Sequence, residues 1–358
     1  MREVWLVRHG RPDMPYDNPR CLGTTDLGLS ALGRLQSVLA GVHLHGAGVS
    51  TVFCSRLKRS CESARCMGYD PTPADGLQEL HAGMWDGLHF DEIRARWPEL
   101  YEARGKEPFP PPPGAEDEAA GTARFEAALR GVLAASDGNI AVVTHATVTG
   151  LLVCRALGLP VTQARAFRPA YGAVTRFSFD GERFTLCGET GLVPLPALDE
   201  ALCRALLRAA GTPPEVAAHC AAVAGEAMRI CGELAQAGIF LDRETLCGAA
   251  MLHDILRVEP RHDAAGADLI ARLGYPKVAA CIAVHHDCLF DGDLTEAAVL
   301  YIADKLARGT SYVSLEARFE KSRQKCKTEA AIQKHGERYL TAKAIRAKIN
   351  TFCEKDVI

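Results

Sequence analysis

The sequence predicts an α/β domain with a mainly parallel sheet followed by an all-α domain, and three observations carry that expectation. At 358 residues the chain exceeds what one hydrophobic core ordinarily fills, so two domains are expected. The first half alternates short β-branched runs with helical patterns, as βαβ units do. The second half keeps its apolar residues at helical spacing while strand-like runs thin out.

The elements follow in order. The runs "EVWLV", "TVFC" and "NIAVVT" are apolar, β-branched or aromatic, and bounded by Gly, Ser, Asp or Asn, which reads as three buried strands. Helices are expected at about 30–40, 57–67, 119–135 and 149–157. The stretch "GAVTRFSFDGERFTLCGE" reads as a hairpin that turns at Asp180 and Gly181. The segment "GETGLVPLPALD", rich in Pro and Gly and without a period, places the domain boundary: residues 1–190, a linker at 191–198, and residues 199–358. The proline run "PFPPPPG", residues 108–114, is expected to be a stiff surface loop.

Composition excludes several function classes. Lys and Arg total 41 against 44 for Asp and Glu, a net charge of -3, so neither a nucleic-acid nor a membrane partner is expected. Secretory-signal features and long apolar runs are both missing, and the 14 cysteines form no CxxC pair. These features fit a cytoplasmic protein with reduced thiols. Oligomeric state is left open.

Candidate chemistry in the first half gathers where strands end. Arg8 and His9 follow the first strand, Arg59 follows the second, Glu79 sits in "LQELHAGMWDG", and His145 ends "AVVTH". In an open α/β sheet, sites form beyond the carboxyl ends of strands, so these separated residues can converge. A neutral histidine can attack phosphorus, arginine forks match phosphate oxygens, and a carboxylic acid can protonate the departing oxygen.

At these residues the first half resembles the histidine phosphatase superfamily, the group that includes phosphoglycerate mutases and α-ribazole phosphatase. The Arg8-His9-Gly10 triplet leads. Gly23, Asp26, Gly33 and Gln36 follow, then Ser55, Leu57 and Arg59, then Glu79, Gly83, Trp85 and Gly87, then Pro113, Gly114 and Glu116, and last His145. The resemblance implies a three-layer α/β fold of the phosphoglycerate mutase type, with His9 as phosphoacceptor and Glu79 as proton donor. It makes Arg8, Arg59 and His145 the phosphate cradle, with no cofactor in this domain. Arg11, Pro12, Pro15 and Ala146 depart from the common pattern, which bears on substrate choice. The first half is short for a mutase, so phosphatase is the expected activity and mutase the alternative.

The second half supplies His219, then His253 and Asp254 in "LHDIL", then His262, then His285 and His286 in "HHD", then Asp304 in "ADK". Imidazole and carboxylate suit Mn, Fe, Ni, Zn or Mg, and helices can project them into one interior. Neighbouring helix positions lie about 100° apart, so His253 and Asp254 share an ion only if it sits between their directions. This series resembles the HD-domain phosphohydrolases. The resemblance implies that His219, His253, Asp254 and Asp304 hold one divalent metal, with His262, His285 and His286 available to a second. The expectation is therefore a bifunctional phosphohydrolase acting on a small phosphorylated metabolite or nucleotide, the alternative being a sensor of such molecules without turnover.

Overall fold

The computed structural model describes residues 1–103, 111–354 and 356–358, in two compact units, Met1–Pro196 and Ala197–Ile358. Of the proline run, residues 108–110 lie outside the described residues.

The first unit is built on a six-stranded sheet of order β3-β2-β4-β1-β5-β6. Its strands are β1 (Arg2–Arg8), β2 (Thr51–Cys54), β3 (Thr72–Pro73), β4 (Ile140–Thr144), β5 (Val174–Phe179) and β6 (Phe184–Leu192). β1 to β4 pair in parallel, while β5 and β6 form the antiparallel hairpin expected around Asp180. β6 runs to Leu192, so the hairpin extends two residues into the segment read as linker.

The uninterrupted apolar run of β1 has a physical reason. Successive side chains point to opposite faces of a strand: Val4 and Leu6 join one core with Phe125, Leu129, Val148 and Leu152, whereas Trp5 and Val7 join the other with Ala40, Leu44, Ala64 and Met67. Helices therefore cover both faces: α1 (Ala31–Gly46) and α2 (Lys58–Cys66) on one, α5 (Glu118–Ala134) and α6 (Ala146–Leu157) on the other. Two short helices, α3 (Phe90–Arg96) and α4 (Pro98–Ala103), lie in the connection between β3 and α5. Truncating Leu6 to Ala would cost about 2–5 kcal/mol, since both the transfer term and a residual cavity count against it.

The second unit is helical apart from a two-residue hairpin, Ala307–Arg308 with Ser311–Tyr312. Its helices are α7 (Glu200–Ala210), α8 (Pro214–Gln236), α9 (Arg243–Leu252), α10 (His262–Leu273), α11 (Pro276–Ala283), α12 (Glu296–Leu306), α13 (Leu315–Arg323) and α14 (Glu329–Cys353). α12 is the most enclosed: every residue from Ala298 to Leu306 is buried, including Asp304 and Lys305. Among the described residues, no helix is long and apolar enough to cross a membrane.

Candidate active site and candidate metal centre

The carboxyl ends of β1 and β4 lie side by side, Arg8 opposite Thr144, so His9 and His145 emerge together. Their rings are 5.0 Å apart. Gly10 is required at this turn: a Cβ there would lie 2.0 Å from the Gly33 carbonyl oxygen at the start of α1. The Gly10 N–H donates to Ser63 Oγ, on α2, at 2.9 Å.

His9 is buried, and its Nδ1 lies 2.7 Å from the Gly10 carbonyl. A carbonyl can only accept, so Nδ1 carries the proton and Nε2 keeps its lone pair. Burial, then the nearby charges of Arg59 and Arg8, hold the imidazole well below its usual pKa, which keeps it neutral. The same causes lower His145, led again by burial. His145 is anchored through Nε2, 2.8 Å from Ser55 Oγ, and its Nδ1 is buried without a hydrogen-bond partner. Ser55 Oγ gives its one proton to Ser60 Oγ at 2.9 Å, so it accepts from His145 Nε2–H, and the buried Nδ1 carries the lone pair.

Arg8 lies with its guanidinium carbon 3.7 Å from the centre of the Tyr171 ring and donates through NH1 to the Pro169 carbonyl at 2.7 Å. Its Nε is buried and unpartnered. Arg59, on α2, is set differently from the expected cradle residue. Its two terminal nitrogens donate to the carbonyls of Thr25 and Gly23, each at 2.7 Å, it is almost fully buried, and it does not line the cleft. It still lies close enough to act electrostatically on His9, and its Nε is buried without a partner.

Glu79 reaches the site from the loop after β3. Its Oε2 accepts from the Thr147 N–H at 2.9 Å, and its Oε1 accepts from Val148 at 3.2 Å and Leu80 at 3.1 Å. It thus satisfies the first free N–H groups of α6, a helix that no side chain of its own N-cap residue, His145, caps. Arg8, His9, Glu79, His145 and Tyr171 line one cleft of about 650 Å³.

Several supporting residues take roles that the sequence reading did not assign. Asp86 accepts from the N–H groups of Gly23, Thr24 and Thr25, fixing the loop whose carbonyls receive Arg59. Arg11 folds the following loop around itself, donating to the carbonyls of Met14 and Pro15 and stacking on Tyr16 at 3.6 Å. Ser63 follows Arg59 by one helical turn, a spacing that could have flagged it; Tyr171, 162 positions after His9 in the chain, had no such signal. Among the other histidines, His81 lines the cleft, His43 packs on Trp5, His45 stacks on Tyr69, and His89 contacts the Asn18 carbonyl.

In the second unit the structure brings all seven candidates together, with one correction. α9 ends at Leu252, so His253 and Asp254 sit in the turn beyond it rather than at successive helical positions. The reason is local: His253 Nδ1 lies 2.8 Å from the Ala250 carbonyl, one of the helix-end carbonyls left without an intrahelical partner. His285 repeats this arrangement beyond α11, its Nδ1 2.7 Å from the Ile282 carbonyl. Both rings therefore keep the Nε2 lone pair, and both Nε2 atoms are buried without a hydrogen-bond partner.

These lone pairs face carboxylates. His253 Nε2 is 3.6 Å from Asp254 Oδ2 and 3.8 Å from Asp304 Oδ1, and His285 Nε2 is 3.7 Å from Asp254 Oδ1. His219, on α8, sets Nε2 3.1 Å from Asp304 Oδ1, and His262 sets Nε2 3.2 Å from Asp254 Oδ1. His262 and His286 bring their Nε2 atoms to 3.0 Å. Two groups are close enough to share an ion: His219, His253 and Asp254, and His262, His285 and His286. Buried imidazole lone pairs aimed at carboxylates fit a divalent cation, which would satisfy them all. Lys305 was not foreseen; its Nζ lies 2.7 Å from Asp304 Oδ2 and leaves only Oδ1 facing the histidines.

Comparison with known proteins agrees with this division. Residues 4–188 match the model of the histidine phosphatase superfamily, branch 1, and residues 216–309 match that of the HD domain. The Bifunctional protein Rv2228c of Mycobacterium tuberculosis is 30% identical over 165 residues, which cover 42% of this chain and 43% of that protein. The rat 6-phosphofructo-2-kinase/fructose-2,6-bisphosphatase 1 is 27% identical over 110 residues, covering 30% of this chain and 23% of that one. The chain thus spans less than half the length of these relatives. A mycobacterial glucosyl-3-phosphoglycerate phosphatase solved with inorganic phosphate aligns over 55% of this chain and all of its own length (100%), with 26% identity and a TM-score of 0.47. Matched over residues 4–188 of its first unit, more than half of its length, the chain belongs to the histidine phosphatase superfamily and carries an HD domain C-terminal to that match.

Proposed function

We propose that the first unit hydrolyses phosphomonoesters of small metabolites or nucleotides through a phosphohistidine on His9. The observation that carries this reading is a buried, unpartnered donor, Arg8 Nε, lining the same cleft as a histidine whose Nε2 lone pair is free. A buried donor left unpaired costs roughly 1–3 kcal/mol, and a phosphoryl group supplies an acceptor for it.

In the first step Nε2 of His9 attacks phosphorus and the ester P–O bond breaks. The carboxyl of Glu79 gives its proton to the departing oxygen. Nδ1–H of His9 stays on the Gly10 carbonyl and helps to stabilise the positive charge that develops on the ring. In the second step a water attacks phosphorus and gives its proton to Glu79, while the P–N bond breaks and its electron pair returns to Nε2. Phosphate leaves, and both residues regain their starting states.

The second unit is read as a metal-dependent phosphohydrolase. His219, His253, Asp254 and Asp304 would hold one divalent ion, and His262, His285 and His286 a second. Such an ion supplies a Lewis acid for phosphoryl oxygens. These residues orient and neutralise it: the carbonyls of Ala250 and Ile282 fix two rings, and Lys305 holds Asp304.

Phosphate release from a panel of phosphomonoesters and nucleotides, with EDTA or with added Mn, separates the two centres. Turnover that survives EDTA and disappears in His9→Ala is the expected result for the first unit. Monoester turnover retained in His9→Ala would refute the assignment.

A further inference from the structure

Two cysteines lie beside the hydroxyls that hold His145, and nothing in the chemistry above uses them. Cys54 is the last residue of β2 and Cys61 lies in the first turn of α2. Their Sγ atoms are 3.4 Å apart, and neither takes part in a disulfide. Ser55 directly follows Cys54 and Ser60 directly precedes Cys61. Ser55 Oγ accepts from His145 Nε2–H at 2.8 Å, and Ser60 Oγ lies 3.4 Å from the same nitrogen. The Cys61 thiol donates to the Ser55 carbonyl at 3.3 Å.

The two sulfurs differ in access. Cys54 is fully buried, and burial pushes its thiol up, so it stays protonated and inert on its own. Cys61 is half-buried, so a small oxidant from solvent meets it first. Bonding the pair would draw the sulfurs inward by about 1 Å and take the thiol proton from the Ser55 carbonyl. Both changes fall on the turn that carries the two serines. The His145 ring, 5.0 Å from that of His9, is held by those serines and moves with them.

We propose that Cys54 and Cys61 form a reversible thiol–disulfide switch, set by peroxide, that lowers turnover at His9 by displacing Ser55 and Ser60 from His145. The effect on turnover rests on the phosphomonoesterase reading above, whereas the pairing of the sulfurs does not. In the first step the Cys61 sulfur takes an oxygen from hydrogen peroxide, the O–O bond breaks, one water leaves and Cys61 becomes a sulfenic acid. In the second step the Cys54 sulfur attacks the Cys61 sulfur, the S–O bond breaks, and the hydroxyl leaves with the Cys54 proton as a second water. The thiols lose two electrons in all, and the peroxide gains them. A dithiol reductant reverses the change by exchange.

The test treats the full chain, in EDTA, with hydrogen peroxide, and follows phosphate release from phenyl phosphate together with peptide masses. Trypsin cuts after Arg56 and Arg59, so residues 35–56 and 60–65, each with one cysteine, separate unless Cys54 and Cys61 are bonded. The linked pair should accumulate as kcat/KM falls by about tenfold to a hundredfold, the cost of a displacement of about 1 Å near the reacting groups. Dithiothreitol should reverse both. Cys61→Ser keeps a hydroxyl for the Ser55 carbonyl, and it should match reduced wild type in kcat/KM and hold that value in peroxide. In Cys54→Ala the sulfenic acid lacks its partner and should be trapped on Cys61 by dimedone. An unchanged thermal midpoint verifies the fold of each variant. Unlinked peptides after peroxide overturn the proposal, as do a linked pair with unchanged turnover, a loss of turnover that Cys61→Ser does not prevent, or Cys54→Ala without the adduct. If the reduced protein turns over no monoester, the phosphomonoesterase reading falls and the switch with it; turnover that is His9-dependent but indifferent to peroxide overturns the switch alone.

Discussion

Replacing Glu79 by Gln separates the proton donor from the structural brace that the same side chain provides. The carboxylate accepts three main-chain N–H groups, two on Oε1 and one on Oε2. Glutamine has one acceptor oxygen, so its amide nitrogen must face at least one of those donors. An unpaired buried N–H costs about 1–3 kcal/mol. The unit should therefore lose roughly 1–3 kcal/mol while staying folded, a fall in thermal midpoint of about 2–12 °C for a domain of this size. Chemistry should separate by leaving group. For an alkyl phosphate, whose oxygen departs poorly as an anion, losing the acid should lower kcat/KM by roughly 10²–10⁴-fold. For p-nitrophenyl phosphate, whose leaving group departs readily as an anion, kcat/KM should fall less than about tenfold. Glu79 also accepts the proton of the attacking water in the second step, so the variant should release nitrophenol in a burst ahead of slow phosphate release. Stopped-flow absorbance with both substrates at a temperature where the variant is folded measures this. Equal losses of kcat/KM for the two leaving groups would refute the role given to Glu79.

Three further outcomes follow from the geometry. His9 must be neutral to attack, and its pKa is held well below 6.5 by burial and the two arginines, so the acid limb of kcat/KM should lie below pH 6.5. In the same window the unfolded chain binds protons that buried His9 and His145 do not, so thermal stability should decline as pH drops below about 6.5; an acid limb above pH 7 would contradict the neutral histidine. Tyr171→Phe keeps the ring against Arg8 and should retain near wild-type kcat/KM, whereas Tyr171→Leu removes the stack and should lose about 1–2 kcal/mol, or five- to thirtyfold; equal behaviour of the two variants would show that the stack is unimportant. Elemental analysis of the purified chain should find divalent metal that His253→Ala loses. Wild-type protein at a metal concentration a hundred times the dissociation constant should gain about 2.7 kcal/mol of stability over the EDTA-treated form, and an unchanged thermal midpoint would count against a metal centre.

What the sequence determined by itself was the local grammar. Chemistry-bearing residues at strand ends were legible because strand runs such as "AVVTH" and turn residues such as Gly10 are encoded within a few positions. The two-domain division was legible because a helical period and a strand period differ in kind. The ordered series from His219 to Asp304 was legible because metal-ligating side chains are rare enough to stand out as a pattern. Tertiary structure decided the rest, for a common reason: it depends on contacts between residues far apart in the chain. The tautomer of His145 is tied to Ser55, 90 residues away, and the setting of Arg8 to Tyr171. Arg59 was expected in the phosphate cradle, and the fold turns its two terminal nitrogens onto carbonyls of the loop that Asp86 pins. No local pattern specifies which of several arginines finds such acceptors, since hydrogen bonding and burial are settled only when the strands and helices have packed.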